Sequence, residues 1–539
     1  MRKALITSIP VMLVLLLAFS ACFNPTGEEE MAYITINLNT EAARASLWPG
    51  VTNDGLVNIT HEIFMIEVSD PAFPIEKPVL TMEPGELTKT FSIEPGTYEA
   101  FIKAYYKDIE FANDMITNTS MNTFEVALGT PTTVYFNMTQ TAGIYSVGNF
   151  TEWNVLRQPS SSGWMASDAS SGIDNFIIDI TGDFSPSGTI VATFPISSGE
   201  VTILGNGHTL TVLSLGHLLY VDGCDVAIYD LNLEGAAANN TPLVFINSGK
   251  LTMKGSSSVF NNINSTGVGQ AGGVRINTGE LKMEDDSEIY NNTVIGSFGA
   301  FGGGVYMTSG ATLTLEGNSS IYDNTANGTV DAFGGGVFVF GTGVFTMKDG
   351  AEINNNVLAG SAPIKKGGGV FINFGGTFNM EGGHIHDHTV GVDIGGGVFI
   401  DSGGTFTMSG GNIYNNICGA GGGVHIISGG TFTMSGGDIY DNEVNSGSGG
   451  GVLNEGTFTM KGGNIYDNIA SLWGGGVLNQ SGATFNMLTV LSGEAAVAGT
   501  GGSITGNDSG ISFDDFHNSG TFELDGNPLN PYNIPNGGW

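Results

Sequence analysis

The sequence predicts an all-β protein: an N-terminal β-sandwich followed by a right-handed parallel β-helix of three-strand coils. Three observations carry this. A Gly-Gly-Val step recurs with Val at 274, 305, 337, 370, 398, 424, 452 and 477, at spacings from 25 residues (Val452 to Val477) to 33 (Val337 to Val370). Each unit holds three short strand-like runs separated by glycine pairs. All but one of the units also close on an Asn, at 262, 292, 324, 356, 416, 442, 468 and 507, usually as Ile-x-x-Asn, and His388 takes that position in the remaining one. Three strands and three turns in a unit this short make one coil of a parallel β-helix. No unit carries a 3.6-residue period and Gly-Gly breaks helices, which excludes helical solenoids.

The chain opens on Met1-Arg2-Lys3, continues through an apolar stretch from Ile9 to Phe19, and reaches Phe19-Ser20-Ala21-Cys22. This pattern reads as a secretory signal. It resembles the lipobox of bacterial lipoproteins, with Phe19 in place of the usual Leu. The resemblance implies that residues 1–22 form the signal peptide and that Cys22 is the acylated residue. Buried acyl methylenes contribute about 0.8 kcal/mol each, so a membrane is the expected partner at this end. The expected location is the cell envelope, at the outer-membrane surface.

Residues 31–140 have another texture. Tyr33 to Leu38, Glu62 to Val68, Thr88 to Ile93, Tyr98 to Tyr105 and Thr133 to Met138 alternate with period two, and Glu83-Pro84-Gly85 and Glu94-Pro95-Gly96 mark turns. Short alternating strands at this spacing predict a small β-sandwich. The segment from Ile93 to Ala100 resembles the strand-turn-strand of Ig-like or transthyretin-like modules, which implies a spacer role. Residues 141–250 are expected to form a cap and the first coils, with Asn175 to Ile180 and Val201 to Leu204 as strands. Gly205-Asn206-Gly207-His208-Thr209-Leu210 resembles the opening coils of pectin-lyase-like β-helices. Residues 251–509 are the Gly-rich repeats, and 510–539 are expected to cap the far end.

One unit, Gly395 to Asn416, shows how alternation sorts inside from outside. Val398, Ile400, Phe406, Met408 and Ile413 stand at positions that stay apolar across units, and are expected to fill the bore. The position of Phe399 varies through Arg275, Tyr306, Phe338, Phe371, Phe399, His425, Leu453 and Leu478, and is expected to point out. Stacked Asn at the closing position are expected to hydrogen-bond from coil to coil.

Gly-Gly-Val alternating with Ile-x-x-Asn resembles the repeats of polymorphic outer-membrane proteins over roughly residues 250–510. That resemblance implies a surface adhesin. The stretch after the repeats is too short for the C-terminal barrel of the autotransporter members, so the lipoprotein route is expected. The chain carries 52 Asp and Glu against 16 Lys and Arg, a net charge of -36, which repels phosphate backbones and excludes nucleic acid as a partner. No cofactor is expected, and no calcium-repeat pattern occurs. Cys224 and Cys418 are expected to be small buried fillers rather than a disulfide.

Two aromatic stripes are the candidate ligand-binding residues: Tyr306, Phe338, Phe371 and Phe399 on the first strand, and Tyr414, Tyr440 and Tyr466, with Tyr290 and Tyr322, on the third. Exposed aromatic rows mark partner sites and stack on sugars, unless inserted segments cover them. The expected partner is a carbohydrate or a host or matrix protein. His384, His386 and His388 alternate and are the weak metal candidates. Thr405, Thr407, Thr431, Thr433, Thr457 and Thr459 form a short array that resembles ice-binding faces, although Thr also favours exposed strands. The expected function is adhesion or ligand binding without catalysis. The alternative is a polysaccharide lyase or glycoside hydrolase on the same fold, which needs a clustered set of carboxylates or a basic residue. Arg275 is the one Arg of the repeats, and Asp323, Asp387, Asp441 and Asp467 share one repeat position instead of clustering.

Overall fold

The computed structural model describes residues 31–38, most of 59–212, residues 215–487 save 391–393, and short stretches between 503 and 528. Cys22 and the signal segment lie outside the described residues, as does most of the expected C-terminal cap.

Two sheets precede the rod. In the smaller, Ala32–Leu38 lies between Thr88–Ile93, which runs antiparallel to it, and Thr132–Phe136, which runs parallel. In the larger, Gly96–Tyr106 pairs antiparallel with Ile59–Glu67. Alternation along Gly96–Tyr106 buries Tyr98, Ala100, Ile102, Ala104 and Tyr106. Tyr98, Ala100 and Ile102 share one core with Ile34, Ile36, Ile63, Met65 and Val134 of both sheets. The alternating runs of the sequence thus became strands at their expected places.

Tyr106 also ties these sheets to the rod. Its hydroxyl donates to Asp179 Oδ2 at 2.6 Å. Lys107 Nζ and Asn206 Nδ2 donate to Asp179 Oδ1 at 2.7 and 2.8 Å. The Asp179 side chain is only 4% exposed, so these donors replace the water it loses.

The rod is a parallel β-helix. A 24-stranded sheet collects the second and third strands of successive coils, and an 11-stranded sheet collects the Gly-Gly-Val strands from Leu219–Val221 to Phe516–Asn518. Coils add in parallel register, for example Val398 on Val424 and Thr405 on Thr431. Two short helices, Phe150–Leu156 and Trp164–Ser170, flank the strands that open the rod.

The bore holds the expected residues: Val398, Ile400, Phe406, Met408 and Ile413 are all fully buried. Phe345, Phe378, Phe406, Phe432, Phe458 and Phe485 stack there with ring centroids 4.4 to 4.8 Å apart. The coil rise of about 4.8 Å makes that spacing available, and each stacked pair adds roughly 0.5–1.5 kcal/mol beyond its area burial.

The glycines of the Gly-Gly-Val step are set by close approach between coils. A Cβ on Gly450 would sit 2.3 Å from the carbonyl oxygen of Gly475, and one on Gly422 at 2.3 Å from that of Gly450. Backbone hydrogen bonds run down the same column, from Gly450 N–H to Gly474 O at 3.1 Å.

The closing Asn form the expected ladder. Backbone N–H and Nδ2 of Asn292 both donate to Oδ1 of Asn324, at 3.0 and 3.1 Å. Asn324 repeats this toward Asn356, as Asn416, Asn442 and Asn468 do toward Asn442, Asn468 and Asn507.

The coils carry more than the three expected strands. After the ladder Asn, the segments of varying length that lead to the next Gly-Gly pair with one another. Ile263–Gln270, Thr293–Phe301, Thr325–Gly328, Asp331–Phe333, Val357–Ala359 and Ile364–Lys366 make a six-stranded sheet. Ile417–Cys418, Glu443–Val444, Ile469–Ala470 and Asp508–Ser509 make a four-stranded one. Once the ladder holds successive coils in register, the residues after it also face their equivalents, and their backbone groups pair rather than stay unsatisfied.

Candidate ligand-binding site on the lateral face

These extra strands decide the fate of the first aromatic stripe. Tyr306, Phe338, Phe371 and Phe399 do point away from the bore, but they are only 5%, 3%, 1% and 0% exposed. They stack at 5.1 to 5.2 Å and form a second core that Phe301, Phe333, Ile394 and Ile427 cover. Phe333 stacks on Phe371 at 4.7 Å, and Lys366 Nζ sits 4.6 Å from the Phe399 ring centre. The stripe is therefore a covered seam, which corrects its expectation as an open binding face. Cys418 belongs to a neighbouring apolar cluster, and both it and Cys224 are buried and form no disulfide among the described residues, as expected of small fillers.

The second stripe stays half-buried. Tyr290 stacks on Tyr322, Tyr414 on Tyr440 and Tyr440 on Tyr466, each at 5.0 Å and within 6° of parallel. His386 caps Tyr414 at 4.7 Å. Rings stacked this closely use their faces on each other, so the row offers edges rather than open platforms for a sugar. Burial raises the phenol pKa of Tyr440, with Asp441 and Asp438 adding to it.

The three histidines do not converge. His384 and His386 flank the buried Ile385 on the outer side of their strand. Asp387 then takes a left-handed φ of 58°, the chain turns, and His388 enters the Asn ladder. Among the described residues no three His, Cys, Asp or Glu are grouped as metal ligands. The same turn explains the repeated acids: Asp323, Asp441 and Asp467 have φ of 53°, 51° and 54°, like Asn261, Asn291, Asn355 and Asn415 at this position. Asn and Asp tolerate this conformation, so the column is selected by backbone geometry.

Where the seam meets the first coils, its pattern changes. In register, Phe245 is followed by Arg275 and then Tyr306. The Arg275 guanidinium lies 5.2 Å from the Phe245 ring centre and 6.0 Å from that of Tyr306. Here a pocket of about 300 Å³ opens, lined by His217, Asn240, Thr241, Pro242, Phe245, Asn264, Val268, Gln270 and Arg275. Its walls come from several coils and from the first extra strand, Ile263–Gln270.

Each polar wall is fixed by its own contacts. His217 stacks on Phe245 at 5.4 Å, and its Nδ1 lies 2.6 Å from the carbonyl oxygen of Pro242. A carbonyl only accepts, so Nδ1 carries the proton and Nε2 is the acceptor of the neutral ring. Burial lowers the His217 pKa, and the charge of Arg275 adds to this. Asn264 Nδ2 donates to the carbonyls of Gln270 and Ala271 at 3.1 and 2.8 Å, and Gln270 Nε2 donates to the Tyr306 hydroxyl at 3.2 Å. Asn264 Oδ1 and Arg275 Nε are buried without a hydrogen-bond partner among the described residues. The ion pairs among the described residues do not include Arg275.

Of this site the sequence marks only Arg275, a charged residue in a column of aromatics. His217, Asn264 and Gln270 carry no repeat signal, because coil stacking brings them together. No protein-family model matches the chain, and no curated protein matches it.

Proposed function

We propose that this chain is a lipid-anchored surface rod that binds a ligand through its lateral face and performs no catalysis. The anchoring part rests on Met1-Arg2-Lys3, the apolar stretch and Cys22. The partner remains a carbohydrate or a host or matrix protein, and neither a cofactor nor nucleic acid is part of the reading. The observation that carries the binding part is the Arg275 pocket: a site lined by apolar residues and several polar groups, one of them a cation without an ion-pair partner among the described residues. Sites of this shape and lining are where small ligands bind. What supports a binding role over hydrolysis is the lining itself, which contains a His and an Arg but no carboxylate pair.

The test is retention of the mature chain on a panel of immobilised polysaccharides, with product release recorded alongside. Retention without release, weakened by Arg275→Gln, supports the proposal. Release of unsaturated or reducing ends overturns the non-catalytic part in favour of a polysaccharide lyase or glycoside hydrolase.

A further inference from the structure

We infer that the Arg275 pocket selects a small hydroxy-carboxylate, a ligand that brings one carboxylate and at least one hydroxyl into the same site. The inference rests on the lateral-binding reading above and deepens it by naming the ligand chemistry.

The carboxylate follows from Arg275. Phe245 and Tyr306 flank the guanidinium in the stacked column, their ring centres 5.2 and 6.0 Å from it, and no carboxylate among the described residues pairs with it, so its N–H groups are what it can offer. A guanidinium flanked by rings, with its N–H fork unpaired by any carboxylate of the chain's described residues, suits the paired oxygens of a carboxylate. The next four rungs, Tyr306, Phe338, Phe371 and Phe399, show that an aromatic side chain serves the stacking role, so stacking alone does not call for a cation here. A single charge is favoured over a double one. The pocket supplies one cation, and the chain carries a net charge of -36, whose field opposes a dianion more strongly.

The hydroxyl follows from the acceptors. Asn264 is 2% exposed and its Oδ1 has no donor among the described residues. His217 Nε2 is left as an acceptor once Nδ1 donates to Pro242. An acid with no hydroxyl, such as acetate, satisfies Arg275 but gives nothing to these acceptors. A neutral sugar does the reverse. An unmet buried polar group costs about 1–3 kcal/mol, so only a ligand with both kinds of group completes the site. The volume of about 300 Å³ limits the occupant to one small unit, with Pro242, Phe245 and Val268 as its apolar side.

Titration calorimetry of the mature chain with glucuronate, gluconate, glucose and acetate tests this. Glucuronate or gluconate is expected to bind at least about tenfold more tightly than glucose and acetate. Glucuronate alone identifies the source as an acidic sugar ring, gluconate alone as an open-chain acid. Arg275→Gln is expected to lose at least about tenfold, with Arg275→Lys falling between it and the parent. Val268 is half-exposed at the mouth, so Val268→Trp should block the site without touching the Arg275 stack; it keeps the test valid should Arg275→Gln not fold. Equal binding of all four compounds, binding of none, or full affinity in Val268→Trp overturns the inference. Retention on polysaccharides with no binding of any of the four overturns the inference alone, and leaves the lateral-binding proposal standing.

Discussion

His388 Nδ1 lies 2.8 Å from Asn416 Oδ1, at a rung where neighbouring coils place Asn. The Asn416 oxygen accepts, so Nδ1 is protonated and Nε2 takes a hydrogen bond from Asn356 Nδ2 at 3.3 Å. The ladder thus holds a neutral histidine, and burial lowers its pKa from 6.5 to about 4. A group whose proton binds more tightly in the unfolded chain contributes stability that is complete above pH 6.5 and lost as pH falls toward 4. The loss across that window amounts to ~3 kcal/mol. His388→Asn restores the common rung and should be less sensitive to pH between 6.5 and 4. Denaturant unfolding of both proteins at pH 7.5 and 4.5 checks this, and an unchanged difference between them counts against it.

The ladder itself should be worth more than one hydrogen bond per rung. Asn442 donates to Asn468 Oδ1 and to the carbonyls of Ile413 and Tyr440, and its Oδ1 accepts from Asn416. Asn442→Ala leaves several buried groups unpaired, so a loss of ~3 kcal/mol is expected in chemical denaturation. A loss below about 1 kcal/mol would mean that water replaces the side chain.

Gly450→Ala should be among the most damaging single-methyl changes in the rod. The added Cβ meets a backbone carbonyl at 2.3 Å, and that carbonyl belongs to the next coil, so relief requires the coils to separate. A cost above ~3 kcal/mol is expected. Gly482 provides the comparison: its φ is 89°, but nothing lies within 4 Å of the place a Cβ would occupy. Gly482→Ala should cost only ~1–2 kcal/mol, from backbone strain alone. Similar melting temperatures for the two variants would refute the close-approach argument.

Asp179 should govern how firmly the N-terminal sheets hold to the rod. Asp179→Ala removes the common acceptor of buried Tyr106 and of Lys107 and Asn206, which reach solvent at the edge of the junction. A loss of roughly 1–3 kcal/mol is expected, concentrated at the junction. Limited proteolysis should then release the segment before residue 141 as a separate fragment faster than in the parent. Unchanged cleavage rates would show that apolar contacts suffice there.

The bore was legible in the sequence because it is periodic. Val398, Ile400, Phe406, Met408 and Ile413 repeat in kind from coil to coil, and alternation leaves one side for them. The Asn rungs were legible for the same reason. The covering of Phe371 was not, since it depends on Phe333 and Ile394, which lie in segments of varying length without a repeated motif. The pocket was less legible still. His217, Phe245, Asn264 and Arg275 are separated by 58 residues from first to last, and only the stacking of coils makes them neighbours. Arg275 gave the one hint, as the charged rung in an aromatic column.

Phe371 and Tyr440 separate structural from surface aromatics. Phe371 is packed between Phe338, Phe399 and Phe333, so Phe371→Ala opens a cavity in the seam and should cost ~3–5 kcal/mol. Tyr440 is half-buried, with its faces on Tyr414 and Tyr466, so Tyr440→Ala loses two stacking contacts without opening an enclosed cavity and should cost about 1–2 kcal/mol. Neither side chain lines the Arg275 pocket. Both variants, assayed where they remain folded, should therefore keep the parent's retention on polysaccharides, while Arg275→Gln loses it with little change in melting temperature. Lost retention in Tyr440→Ala, with Arg275→Gln unaffected, would move the binding face to the tyrosine row on the neighbouring sheet.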